Sequence, residues 1–203
     1  MDVWTRFSIE VSHRPAIYYL AYGSNLSLER MAKRCPDAVV AGTAKIPGYR
    51  LLFKKSGSGF YATIEQDANC FVPALVYKIS EFDEALLNRY EGYPKFYYKR
   101  YFQLTVKTLR GGRLKGNKQC MAYVLHEERQ LGEPSMEYYK LLDDGYARWG
   151  FDVEILDKGL SDSIGVKPAK AYLARFQKLK NAQFVPHIFV KNMGWKSLDN
   201  DRT

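Results

Sequence analysis

Cysteine is scarce in this 203-residue chain: Cys35, Cys70 and Cys120 are odd in number and far apart. That argues against both a disulfide framework and a cysteine zinc cluster. Each thiol reads as a small buried hydrophobe, and a reducing, cytoplasmic location is the expectation. Long apolar runs are missing as well. No stretch approaches the ~18 consecutive apolar residues of a membrane span, and residues 1–17 carry charges with no apolar signal core. A soluble, unprocessed chain is expected. Histidine is limited to His13, His126 and His187, none with acids or cysteines at metal-ligand spacing. No Gly-x-Ser-x-Gly elbow is present, and Gly116 is followed by Asn117, where a phosphate-binding P-loop needs Gly-Lys. Metal, serine-triad and P-loop chemistry are all poorly supported.

Acidic residues are absent from positions 165–198, where Lys167, Lys170, Arg175, Lys178, Lys180, Lys191 and Lys196 fall. Much of the formal charge of +9 therefore sits near the C-terminus. Such a segment is either a solvated face or an attractor for nucleic acid, acidic lipid or another acidic partner. Its Tyr172, Phe176, Phe184, Ile188, Phe189 and Trp195 favour a segment that packs.

What is present begins with Tyr18-Tyr19-Leu20-Ala21-Tyr22-Gly23-Ser24-Asn25-Leu26. An apolar, aromatic strand breaks into a glycine turn and then into residues that favour helix N-termini. Such a junction either simply turns the chain or presents backbone N–H groups to a carboxylate or phosphate. A short helix is expected over 26–34, with Ser27 as N-cap and Glu29 in its first turn, ended by Pro36. Strands are expected over 39–44, 49–54, 60–65 and 71–79, with turns at Pro47-Gly48 and at 67–69 and a flexible loop over 55–59. Phe82, Leu86 and Tyr90, spaced by four behind Ser80, give an amphipathic helix over 80–90 that stops at Gly92. Strands over 102–109 and 120–125 flank a basic, Gly-rich loop at 110–118, and helices follow over 135–149 and 173–180. Many short strands without a βαβ rhythm predict an α+β fold with a mixed, mainly antiparallel β-barrel and flanking helices. With 46% apolar residues the chain can build one normal core.

Carboxylates are then the available acid–base groups, and Glu91 has an unusual setting between Tyr90 and Gly92-Tyr93-Pro94. A helix C-terminus and aromatic neighbours both favour the protonated carboxyl and so raise its basicity. The alternative is a surface pair with Lys95, Lys99 or Arg100.

Tyr22-Gly23-Ser24-Asn25-Leu26, Glu91-Gly92, Tyr61-Ala62-Thr63-Ile64 and the order of elements together resemble the γ-glutamylcyclotransferase family, from about residue 18 to about 160. The Tyr-Gly-Ser-Asn turn is similar to that of members acting on γ-glutamyl amino acids; members acting on γ-glutamyl amines carry Tyr-Gly-Thr. The resemblance implies no metal, no organic cofactor and a small γ-glutamyl substrate converted to 5-oxoproline. It implies Glu91 as proton acceptor, with Tyr19, Leu20, Ala21, Tyr22, Gly23, Ser24 and Asn25 holding the γ-glutamyl group. Tyr138 would line the pocket, although Tyr139 fits with a one-residue shift. Relatives often pair, so a homodimer is a further expectation. Pro73-Ala74 departs from the family pattern, in which a Gly precedes the next strand. The domain is set at 18–160, between an N-terminal extension, 1–17, and a basic extension, 161–203, packing on it. Two other functions stay open: removal of a γ-glutamyl cap from a specialised metabolite or carrier-bound acyl group, and a binding module that uses the basic segment.

Overall fold

The computed structural model describes residues 16–165. The helix expected over 173–180 and the acid-free segment that contains it lie outside the described residues. Five strands form one sheet in the order β2-β3-β1-β5-β4. Strand β1 is Ile17–Ala21, β2 Val39–Ser56, β3 Gly59–Ile79, β4 Tyr97–Leu104 and β5 Lys118–Leu125. The β1/β3, β2/β3 and β4/β5 ladders are antiparallel, and β1 runs parallel to β5. The class is α+β, mixed and mainly antiparallel, but the sheet does not close into the expected barrel. Edge strands β2 and β4 share no ladder; isolated bridges of β2, Thr43 with Lys107 just past the end of β4 and Lys54 with Leu131 beyond β5, join the two sides.

The four strands expected between 39 and 79 are two long ones forming a single hairpin. Pro47-Gly48 is a kink within β2, not a turn between strands. Pairing passes from Pro47 with Phe71 to Tyr49 with Gln66, so residues 67–70 bulge out opposite Gly48. The strand expected over 102–109 lies earlier, at Tyr97–Leu104, because its ladder is set by β5, with Tyr97 opposite Leu125 and Leu104 opposite Lys118.

The helices obey their caps. Helix α1, Leu28–Arg34, starts at Ser27, whose Oγ accepts the Arg30 N–H at 3.3 Å. Helix α2, Glu81–Glu91, has a full capping box: Ser80 Oγ accepts the Asp83 N–H at 3.0 Å, and Asp83 Oδ2 accepts the Ser80 N–H at 3.4 Å. It ends where Gly92 turns left-handed at φ 63°. Helix α3, Met136–Trp149, is capped by Ser135. Helix α4, Val153–Ile164, was not anticipated; Asp152 caps it, and buried Leu156 and Leu160 seat it on β2. It runs through position 161, where the sequence places the start of the C-terminal extension. There is no bulk at Gly159, where a Cβ would sit 2.9 Å from the Leu51 carbonyl.

The core lies between the sheet and these helices and includes Leu20, Leu26, Met31, Ile46, Leu51, Val76 and Leu142. At ~25 cal/mol per Å² of buried apolar surface, it is the main stabilising term. A cavity opens at the end of β1, where the chain leaves the sheet. Among the described residues no helix is long and apolar enough to cross a membrane.

Candidate functional site

The site is built where β1 passes into a single 3₁₀ turn, Ser24–Leu26. Leu26 donates its N–H to the Gly23 carbonyl at 3.0 Å, and Ser27 donates to that of Ser24 at 3.3 Å. The N–H groups of Ser24 and Asn25 thus precede the first bond of the turn, the position from which backbone donors can serve an anion. At Gly23 the constraint is close approach, not an unusual φ. A Cβ there would lie 3.2 Å from the Tyr138 hydroxyl and 3.5 Å from the Ala62 Cβ.

The cavity beside this turn measures about 530 Å³, within the range of small-molecule sites. Its wall includes Tyr19, Tyr22, Gly23, Ser24, Asn25, Glu91 and Tyr138. Seven of the nine residues singled out in the sequence therefore meet on one surface. Leu20 and Ala21 do not: their side chains are 1% and 0% exposed in the core, so only their main chain could serve a ligand. Tyr138 and Tyr139 separate cleanly. Tyr138 faces the cavity and its hydroxyl accepts the Ala62 N–H at 3.2 Å, while Tyr139 lies beneath the wall, bonded to Asp157.

Glu91 closes α2 and faces the cavity. The surface pairing considered for it is not made. Lys99 pairs with Glu84 at 2.7 Å, Arg100 lies over the Tyr49 ring and Lys95 over that of Phe96. Among the described residues Glu91 has no ion pair. Burial pushes its carboxyl up to about 7, and the Arg34 guanidinium pulls the other way. A carboxyl so poised is divided between acid and base at neutral pH. Its position is fixed by Gly92, which no larger residue can replace without a clash: a Cβ there would meet Phe96 Cδ2 at 2.5 Å. The Tyr93 N–H also bonds the Asn88 carbonyl at 2.9 Å, and the Tyr93–Pro94 peptide is cis.

Arg34, which had no role in the sequence reading, joins the two halves. It donates to Ser24 Oγ at 3.0 Å, to Asn25 Oδ1 and to the hydroxyl of Tyr90, the residue before Glu91. The available signal was its place at the end of α1, four residues after Arg30 and so on the same helix face. Tyr61, Tyr97 and Tyr123 were also missed as wall residues. Each lies on a strand, where an inward tyrosine cannot be told from a core residue by spacing. Tyr22 donates to the Tyr123 carbonyl, which ties the end of β1 to β5. Burial first, then the nearby Glu91 charge, raises the phenols of Tyr19 and Tyr22 well above their ordinary range, so they remain neutral donors. The wall thus offers one carboxyl, several neutral hydroxyls and a backbone turn. Among the described residues no cluster of three His, Cys, Asp or Glu side chains could hold a metal ion.

Comparison with known proteins bears on the family and the fold. The family model described as gamma-glutamyl cyclotransferase, AIG2-like, matches residues 19–149. A gamma-glutamylcyclotransferase from Bos taurus is 28% identical over 147 residues, which is 69% of this chain and 75% of that protein. A solved structure titled gamma-glutamyl cyclotransferase superposes with a TM-score of 0.60 at 24% identity, covering 81% of this chain and 99% of the other, and supports the fold alone. The ensemble-refined crystal structure of an uncharacterized Homo sapiens protein gives 0.58 at 26% identity, with 71% and 86% covered. With the family match spanning well over half of its length, and the turn and Glu91 both inside it, the chain belongs to the gamma-glutamyl cyclotransferase, AIG2-like family and is an enzyme of that type.

Proposed function

We propose that this enzyme converts a γ-glutamyl amino acid, or a related γ-glutamyl amide, to 5-oxoproline and the free amine. The observation that carries this reading is Glu91: a carboxyl raised to about 7, in no ion pair among the described residues, facing the same cavity as the Gly23–Asn25 turn. In this reaction the nucleophile belongs to the substrate, which fits a wall with no Ser–His or Cys–His pair. The substrate's α-ammonium gives a proton to Glu91, and the freed amine attacks the γ-carbonyl carbon. A five-membered lactam closes through a tetrahedral intermediate. The amide C–N bond then breaks as Glu91 returns that proton to the departing nitrogen, and the second proton, shed by the ring nitrogen as the lactam forms, leaves with the amine as its ammonium. Nothing is oxidised and no water is consumed.

The remaining wall residues supply positioning and charge stabilisation. The N–H groups at the start of the 3₁₀ turn, together with the neutral phenol of Tyr138, which accepts from Ala62 and keeps its own proton, suit an oxyanion and a carboxylate. Holding amine and carbonyl in one conformer removes much of the entropic barrier to ring closure. No step calls for a cofactor, and a cytoplasmic location agrees with the free cysteines.

The test is release of 5-oxoproline by the purified chain from γ-glutamyl amino acids, γ-glutamyl amines and glutathione, with Glu91→Gln alongside. A turnover that falls ~100-fold or more in a folded Glu91→Gln variant supports the reading. Undiminished turnover in that variant removes Glu91 from the mechanism, and no product from any compound removes the reaction.

A further inference from the structure

The cavity wall holds two arginines that the cyclisation does not use. Arg30, on α1, and Arg89, in the last turn of α2, both line it. Among the described residues neither guanidinium has an ion pair or a hydrogen bond, although acids are close in sequence. Those acids are taken. Glu29 pairs with Lys33 at 2.7 Å and Glu84 with Lys99 at 2.7 Å. Asp83 is the N3 carboxylate of the α2 capping box, and Asp37 accepts from Ser80 Oγ at 2.9 Å. Arg34, one helical turn beyond Arg30, is engaged with Ser24, Asn25 and Tyr90. Arg30 and Arg89 are therefore the unspent positive charges of the site, against the single carboxyl of Glu91.

An arginine in the last turn of a helix also complements the helix dipole, and that alone could account for Arg89. It does not account for Arg30, which sits in the first half of α1, where a cation faces the positive end of the dipole. Both are exposed at the cavity wall and solvated when it is empty, but two guanidiniums on different helices facing one cavity are placed to meet an anionic ligand there. The cavity, at about 530 Å³, also has room beyond the γ-glutamyl group for a sizeable leaving moiety.

Resting on the reaction proposed above, we infer that Arg30 and Arg89 are specificity-determining residues that bind the leaving part of the substrate, and that this part carries two carboxylates. The preferred substrate class is a γ-glutamyl conjugate of a dicarboxylic amine, such as an acidic amino acid, over one with a single carboxylate or none. The γ-glutamyl α-carboxylate goes to the turn at Gly23 and Asn25, and the two guanidiniums take the carboxylates on the far side of the scissile bond. Each forms charge-assisted bonds that differ little between ground state and transition state, so the effect falls on KM more than on kcat.

The experiment compares initial rates of 5-oxoproline release from three compounds that share the γ-glutamyl half: γ-glutamyl-aspartate, γ-glutamyl-alanine and γ-glutamyl-methylamide. The full chain is measured beside Arg30→Gln, Arg89→Gln and the double variant, at two salt concentrations. For the wild type, kcat/KM is expected to fall in the order aspartate, alanine, methylamide, with the preference narrowing at high salt. In the double variant the ratio of aspartate to methylamide is expected to drop by about 10-fold or more, mainly through KM. A wild type that turns over all three without preference overturns this inference and leaves the reaction standing. So does a double variant that loses activity equally on all three, which would place the arginines on the γ-glutamyl half. A wild type that yields 5-oxoproline from none of them overturns the reaction, and this inference falls with it.

Discussion

Asn25 donates from Nδ2 to the phenol oxygen of Tyr19 at 2.7 Å, so the turn and the strand that feeds it are locked to one another six residues apart. Asn25 is 3% exposed; its Oδ1 accepts from Arg34 and its main-chain carbonyl accepts from Tyr77 at 3.0 Å. Replacing it with Ala leaves the buried Tyr19 hydroxyl without its Asn25 donor and frees one donor of the partly buried Arg34. Asn25→Ala is expected to cost about 1–3 kcal/mol, read as a lower denaturant midpoint with an unchanged slope.

The raised Glu91 carboxyl links stability to pH. Its folded value of about 7 lies above the ordinary 4.5 of the unfolded chain, so the folded state holds the extra proton. Its contribution is fully present below about pH 4.5 and is lost as pH rises towards 7, a change of about 3 kcal/mol at most. Glu91→Gln carries no such proton. Denaturant midpoints measured at pH 5 and pH 8 should fall between the two for the wild type by more than for the variant. Equal pH slopes would mean that Glu91 is not desolvated.

Activity should titrate with the same group. As a base Glu91 must be ionised in the free enzyme, so kcat/KM is expected to rise with pH through an acid limb near pH 7. An acid limb at about pH 4.5 would assign the base to a solvated carboxylate.

Gly92 sets where Glu91 points. It stands at φ 63°, and a Cβ would come within 2.5 Å of Phe96. Gly92→Ala combines a left-handed backbone with that clash and is expected to destabilise the fold by about 1–2 kcal/mol. Under conditions where the variant remains folded, turnover should still fall by ~10-fold or more, because the carboxyl is displaced from its acceptor position. Normal turnover in the folded variant would show that the base tolerates displacement.

Tyr138 and Tyr139 offer a paired contrast. Tyr138→Phe removes the acceptor of the Ala62 N–H at the cavity wall and should lower kcat/KM by ~10-fold with a modest loss of stability. Tyr139→Phe breaks a buried bond to Asp157 and should lower the denaturant midpoint while leaving KM alone. The opposite pattern would exchange their roles.

How much of this could be read beforehand depended on the range over which each signal acts. The caps at Ser27, Ser80 and Ser135 act within three residues: the second and third helices start within one residue of the expected position, and the first starts at Leu28, two residues later than expected, directly after its expected cap Ser27. Strand continuity is not local. Pro47-Gly48 has the composition of a turn, and only pairing of Pro47 with Phe71 and of Tyr49 with Gln66 keeps β2 running through it. Helix α4 stayed hidden because its seat is an external one, the Leu51 surface of β2. In the site, Glu91 stood out by its aromatic and glycine neighbours. Arg34 did not, since an arginine ending a short helix is ordinary until Ser24, Asn25 and Tyr90 are seen around it.

The first strand of the chain lies in the middle of the sheet, with β3 on one side and β5 on the other. Tyr19 pairs with Tyr77 across one ladder and with Met121 across the other. During synthesis β1 therefore waits, one edge bare, until about a hundred more residues have been made. The Gly23–Asn25 turn and Glu91 are both translated before the strand that supplies Tyr123, so a nascent chain carries them before the cavity wall is complete. Truncations that stop short of β5 should leave β1 as an unpaired edge, prone to association, and should have no activity.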